Sequence, residues 1–231
     1  MSTDCKEIID SDELICIISK GDTLSFKKIL DQIIDKYYIL ICYNINKLSN
    51  HYDVSNFIDI LYDKLKNINN PSDIIVISVA YINKVDLIEL VIENGGNINA
   101  IDNGCTPLIA ACDFGNYNII DYLLKNGANV DFQESPIFKF LCNTGKEKIC
   151  SLLLDYGLKI DLNKTNDLEG FLYLIKKGNF TFLKLLVSHG IDFNPVKKYL
   201  NNKYEVDKNN EIIEVLSDLD FDLKHMYYIF N

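Results

Sequence analysis

Apolar residues recur along this chain at the spacing of helical faces. In "YNIIDYLLKNG", Ile119, Ile120, Leu123 and Leu124 fall on one stripe, as they would on one side of an α-helix. Four such runs end in glycine: "LIELVIENG", "IIDYLLKNG", "ICSLLLDYG" and "FLKLLVSHG", closing at Gly95, Gly127, Gly157 and Gly190. The closing glycines lie 32, 30 and 33 residues apart, and Gly115, Gly145 and Gly178 each stand 12 residues before one of them. The earlier glycine of each pair predicts a reversal between two helices, and the later one the left-handed residue that ends the second helix. In the first copy the dividing position is Asn83. Asparagine tolerates the left-handed region next best after glycine, so a left-handed turn is predicted there too. Short alternating segments follow the closing glycines, "GNINA", "ANVDF", "LKIDL" and "IDFNP", and read as extended fingers. A unit of two helices and a finger cannot bury its stripe alone, whereas a stack of them can.

The stretch 102–132 is the most regular copy. Thr106 offers a hydroxyl at a helix start and Pro107 occupies the first helical position, where its missing N–H costs nothing. The "LIAAC" that follows is slim enough to let neighbouring helices approach closely. Taken with Asp102, Gly104, Leu108, Ala111, Gly115, Leu123, Leu124, Gly127, Ala128 and Val130, this stretch resembles the ankyrin-repeat motif. Other copies are eroded. The Thr-Pro opening becomes Ser135-Pro136, Ile74-Ile75 and Glu169-Gly170, Ile109 stands where the family has histidine, and the finger after Gly127 is short. The resemblance implies an all-α ankyrin-repeat solenoid of helix-turn-helix units with short β-hairpin-like fingers. It implies a single domain over 1–231: an N-terminal cap repeat at 12–34, a degenerate repeat at 35–70, four clearer repeats at 71–194 and a C-terminal capping repeat at 195–231.

Composition narrows the function classes. The net charge is −10, which disfavours phosphate backbones and anionic lipid surfaces. All 23 basic residues are lysine, which removes bidentate guanidinium forks and arginine fingers. Seven cysteines form no regular framework, and most lie in apolar runs, an arrangement that favours a reducing compartment. The acidic N-terminus makes a poor signal or transit peptide. Apolar stretches such as "YYILICY" fall well short of the roughly 18 residues needed to span a bilayer. These features place the chain in the cytoplasm or nucleus, with no nucleic-acid or membrane partner.

Little in the sequence points to chemistry. There is no C-x-x-C, and His51, His189 and His225 are scattered, so no metal set is expected. Ser188 and His189 are adjacent, which aims their side chains apart on a helix. Asp102, Asp131, Asp161 and Asp192 recur in or near the fingers, as turn-capping residues do. Catalytic carboxylates would occur once. The expectation is a non-enzymatic protein without cofactors.

The ankyrin resemblance implies a protein–protein interaction module or scaffold. Its concave groove would be lined by Tyr81 and Ile82, Asp113 and Phe114, Asn143 and Thr144, and Lys176 and Lys177. Ile101, Asp102, Asn103, Phe132 and Gln133 would stand at finger tips. The change of sign from Asp113 to Lys176-Lys177 suggests a partner of mixed charge. Some ankyrin fingers are hydroxylated on the asparagine matching Asn99 and Asn194, so the resemblance marks both as modification candidates. The biased composition and eroded repeats are similar to ankyrin proteins of large AT-rich DNA viruses, which implies a host-cell protein as partner. Two alternatives stand beside this reading. One is a ubiquitin-ligase substrate adaptor, for which the terminal "FDLKHMYYIF" is too short to hold an F-box-like helix pair. The other is self-association through Tyr227, Tyr228 and Phe230. A monomer is the expected state.

Overall fold

Thr106 and Gly127 bracket the best-formed repeat, and the computed structural model shows how each works. The structure describes residues 11–32, 35–131, 137–196 and 199. Thr106 lies in extended backbone, and its hydroxyl accepts the N–H of Ile109 at 3.2 Å, with Pro107 as the first helical residue. At the other end Gly127 takes φ 90°. Its N–H reaches Leu124 O at 3.3 Å, and the Ala128 N–H reaches Leu123 O at 2.9 Å. This paired closure satisfies carbonyls that would otherwise be orphaned at the helix end. The same two-bond closure ends the second helix at Gly95, Gly157 and Gly190.

The elements follow in pairs: α1 (Ser11–Ser19) with α2 (Thr23–Gln32), α3 (Tyr38–Leu48) with α4 (Ser55–Leu65), and α5 (Asp73–Val79) with α6 (Val85–Glu93). The later pairs are α7 (Pro107–Phe114) with α8 (Tyr117–Lys125), α9 (Ile137–Thr144) with α10 (Glu147–Asp155), and α11 (Thr165–Lys176) with α12 (Phe180–Ser188). A 3₁₀ turn, Asp35–Tyr37, leads into α3. No β-strand occurs among the described residues. One isolated antiparallel bridge joins Asp102 to Cys105 in the finger ahead of α7. No described helix is long and apolar enough to cross a membrane.

The chain forms two compact units that divide between Val130 and Asp131. In the first unit the leading helices α1, α3, α5 and α7 pack in succession, and α2, α4, α6 and α8 pack in a second row. In the second unit α9 packs on α11 and α10 on α12. The stripe read from the sequence is the seam of the first unit: Ile119, Ile120, Leu123 and Leu124 of α8 are all buried. Each such side chain contributes about 1.5–3 kcal/mol through the apolar area it removes from water. Further along that row Phe26 of α2 meets Phe57 of α4 edge to face, centroids 5.0 Å apart.

One conformational expectation is corrected. Asn83 does not take a left-handed conformation; the described non-glycine residues with positive φ are Asn70 and Asn103. The connection from α5 to α6 spans 80–84 and closes by short-range bonds, Tyr81 N–H to Ser78 O and Ile82 N–H to Val79 O. That longer path reverses the chain without a left-handed residue. Ser135-Pro136, most of the C-terminal capping repeat and the tail with Tyr227, Tyr228 and Phe230 lie outside the described residues.

Candidate functional site

The leading helices of the first unit bring three aromatic rings together. Tyr43 lies within α3, Tyr81 just past the end of α5, and Phe114 is the last residue of α7. Their centroids are 6.2 Å (Tyr43–Tyr81), 5.2 Å (Tyr43–Phe114) and 5.5 Å (Tyr81–Phe114) apart, with ring planes steeply inclined. Edge-to-face packing of this kind orients the rings against one another. The cluster still meets solvent: Tyr43 is 40% exposed, and Tyr81 and Phe114 are half-buried.

Neighbouring groups fix the cluster. Asn116, buried in the turn after α7, donates its amide to Ala80 O at 3.1 Å and Tyr81 O at 2.9 Å, tying the inter-helix turn of one repeat to that of the next. The Tyr81 hydroxyl lies 3.9 Å from Cys105 Sγ at the base of the finger. Burial pushes the Tyr81 phenol well above its usual range, with Cys105 and Asp113 adding to the effect. Burial also raises the Cys105 thiol, against a lowering by the Tyr81 contact. Both groups are therefore neutral near pH 7. Asp113 is exposed beside Phe114 and supplies negative charge at the edge of the rings.

The finger beside the cluster is a tight reversal. Asp102 and Cys105 exchange backbone bonds of 3.1 and 2.8 Å. Between them Asn103 and Gly104 take φ 47° and 78°, the pattern of a type I′ turn. Ile101 is 44% exposed, and its N–H donates to the Asp73 carboxylate at 3.1 Å. Asn99 clasps the next finger: its amide donates to Gly127 O at 3.3 Å, and its Oδ1 accepts the Asn129 N–H at 2.7 Å.

The remaining sequence-derived positions behave differently from one another. Ile82 is 2% exposed, so it is a core residue and not part of a surface. The five-residue connection rotates it inward behind Tyr81. In the second unit Asn143, Thr144, Lys176 and Lys177 are exposed at the ends of α9 and α11. Thr144 donates back to Phe140 O at 2.8 Å, and Lys177 Nζ sits 5.6 Å from the Tyr173 ring centroid. Asn194 is exposed, its N–H donated to Asp192 at 2.9 Å. Phe132 and Gln133 lie outside the described residues. The sequence reading missed Tyr43, because segment 35–70 carries no motif from which its place in α3 could be aligned. It also missed Asn116, whose signal was its position directly after a dividing glycine, shared by Asn179.

Most of the described thiols are shielded by burial, whereas Cys16 is exposed. Cys42, Cys112, Cys142 and Cys150 are buried, and burial pushes the Cys150 thiol up to about 12. Cys42, Cys142 and Cys150, whose thiols burial raises, stay protonated near neutral pH and are poor nucleophiles. His189 Nδ1 lies 2.9 Å from Leu185 O, so that nitrogen carries the proton and cannot serve Ser188 as a base. Among the described residues no group of three or more His, Cys, Asp or Glu is placed to hold a metal ion.

The model of the family described as "Ankyrin repeats (3 copies)" matches residues 45–134, the stretch that holds Tyr81, Phe114 and the Asn103 finger. An ankyrin repeat protein of Acanthamoeba polyphaga mimivirus, R598, is 26% identical over 175 residues, covering 73% of this chain and 54% of its own length. A second from that virus, R599, is 28% identical over 141 residues, 61% of this chain and 37% of its own. FPV022, an ankyrin repeat protein of fowlpox virus, is 28% identical over 137 residues, 58% of this chain and 23% of its own. The chain thus spans about half or less of the length of these relatives. With paired helices, glycine closures and fingers in the places the motif requires, residues 45–134 carry ankyrin repeats, and the described residues on either side continue the same all-α pairing of helices.

Proposed function

We propose that this chain is a non-enzymatic interaction module that presents the Tyr43–Tyr81–Phe114 face to a protein partner, with Ile101 and Asp113 at its border. Ankyrin repeats imply protein–protein interaction in general. The observation that carries the finer reading is the aromatic cluster itself. Three rings contributed by three successive repeats, fixed by Asn116 and still open to solvent, give a rigid apolar anchor at low ordering cost. Viral relatives support a host-cell protein as that partner. The buried free thiols support a reducing compartment such as the cytoplasm.

The test is capture from a host-cell lysate on the immobilised chain, beside a Tyr43→Lys, Phe114→Lys variant matched for helicity and melting. Loss of an aromatic anchor costs about 2 kcal/mol or more in a protein interface. A protein held by the wild type and released by the variant supports the assignment. Equal retention by both would remove the aromatic face from the reading and turn attention to Lys176 and Lys177 in the second unit.

A further inference from the structure

We infer that Asn103 is a site of spontaneous, fold-selected deamidation, and that conversion to isoaspartate there dismantles the finger tip. The chain holds three Asn-Gly pairs: Asn94-Gly95, Asn103-Gly104 and Asn126-Gly127. In each, the glycine nitrogen is the nucleophile that must attack the asparagine Cγ. Two of the three are restrained by helix ends. Gly95 N–H is committed to Ile92 O at 3.0 Å, and the Asn94 amide to Leu65 O at 3.3 Å. Gly127 N–H is committed to Leu124 O at 3.3 Å, and the Asn126 amide to Tyr122 O at 2.8 Å. Attack at either place requires opening the bonds that close a helix.

Gly104 N–H has no hydrogen-bond partner among the described residues, and the space around its Cα is open. Asn103 is exposed, and among the described residues its amide nitrogen bonds only to the neighbouring Asp102 carboxylate, at 3.1 Å. Turning the Asn103 side chain and backbone into line for attack disturbs a two-residue tip, the smallest kind of local opening.

The step balances with water and hydroxide alone. Hydroxide removes the Gly104 amide proton, and the nitrogen bonds to Asn103 Cγ to form a five-membered succinimide. The side-chain nitrogen leaves as ammonia. Water then opens the ring at one of its two carbonyls, leaving aspartate or isoaspartate at position 103. Either product adds a carboxylate beside Asp102. Isoaspartate also inserts a methylene into the main chain, which a two-residue reversal cannot accommodate while keeping both Asp102–Cys105 bonds. Because Cys105 touches Tyr81, the change reaches the aromatic cluster.

The full chain would be aged in mildly alkaline buffer at physiological temperature, with and without unfolding concentrations of urea. Each site would be followed by peptide mass spectrometry and by enzymatic methylation of isoaspartate. In the folded protein position 103 should convert at least several-fold faster than positions 94 and 126, and in urea the three rates should converge. Comparable rates at all three sites in the folded protein, faster loss at 94 or 126, no conversion at 103, or an unchanged preference in urea would each overturn the inference.

Discussion

At the scale of single residues, side-chain amides and carboxylates hold this fold together where backbone pairing runs out. Asn99 does so between successive fingers, with one bond to Gly127 and one from Asn129. Each exposed bond of this kind is worth about 0.5–1.5 kcal/mol net. Asn99→Ala should lower stability by about 1–2 kcal/mol in urea unfolding, and an unchanged midpoint would mean that solvent replaces the clasp without cost. Asp167 presents the opposite case. It is buried in the first turn of α11 and accepts the Asp161 N–H at 2.9 Å. Burial raises its pKa, and the Asp161 and Asp131 charges push the same way against the bond from Asp161 and the charge of Lys164. A raised folded pKa means the stabilising contribution is complete below the ordinary aspartate value and is lost as pH climbs through the raised one. Asp167→Asn keeps an oxygen to accept the Asp161 bond and removes the buried charge. Its melting temperature should exceed that of the wild type at neutral pH, and the gain should shrink as pH falls to the ordinary aspartate range. A variant less stable by the same margin at every pH would show that the carboxylate is held for its geometry alone.

Helices in this molecule are short, so contacts between elements decide where the chain tolerates change. Gly170, inside α11, illustrates a departure from the usual rule that glycine weakens a helix. A Cβ built there would lie 2.8 Å from Lys139 Cα and 3.3 Å from Cys142 Sγ, both on α9. Gly170→Ala, which in an open helix would stabilise by up to about 1 kcal/mol, should instead cost about 1–3 kcal/mol because α9 and α11 must separate. Thermal melting distinguishes the two signs. Leu123 tests the seam of the first unit in the other direction. It is fully buried in α8, and Leu123→Ala should cost about 2–5 kcal/mol by leaving a cavity that rigid neighbours cannot fill. These elements were legible in the sequence to an unequal degree. Helix closures at Gly127, Gly157 and Gly190 could be read because only glycine takes that conformation cheaply. The cap at Thr106 could be read because proline followed it. The α5–α6 connection could not: Asn83 imitates a dividing glycine in sequence, but three further residues in the turn remove the need for a left-handed position. Ile82 was misplaced for the same reason, and its burial follows from the path of the longer turn.

For the whole molecule, the sequence conveyed the fold class and the charge, whereas the candidate surface was only half legible. Tyr81 and Phe114 were found by their place before a turn. Tyr43 completes their cluster from a segment whose repeat motif is eroded, so only packing could bring it to light. The net charge is −10, and residues 67–124, which include α5 and most of α8, carry seven carboxylates (Asp73, Asp86, Glu89, Glu93, Asp102, Asp113 and Asp121) against Lys84, a balance of 1 − 7 = −6. Local ion pairs offset little of this: Lys125 holds Asp121, and both are substantially exposed, which limits such a pair to at most about 1 kcal/mol. Glu89 and Glu93 also act together on Tyr122, whose phenol is raised first by burial and then by their charges. Self-repulsion among exposed carboxylates is screened once the Debye length falls to about 10 Å, near 0.1 M salt. Adding sodium chloride from low ionic strength to that range should therefore raise the melting temperature. The rise should shrink when Glu89 and Glu93 are both replaced by Gln, since these two substitutions remove part of the repulsion that salt would screen. A melting temperature that falls with salt would mean that the exposed lysine–carboxylate pairs outweigh the repulsion. In that event the acidic balance of residues 67–124 would bear on the choice of partner and not on the stability of the fold.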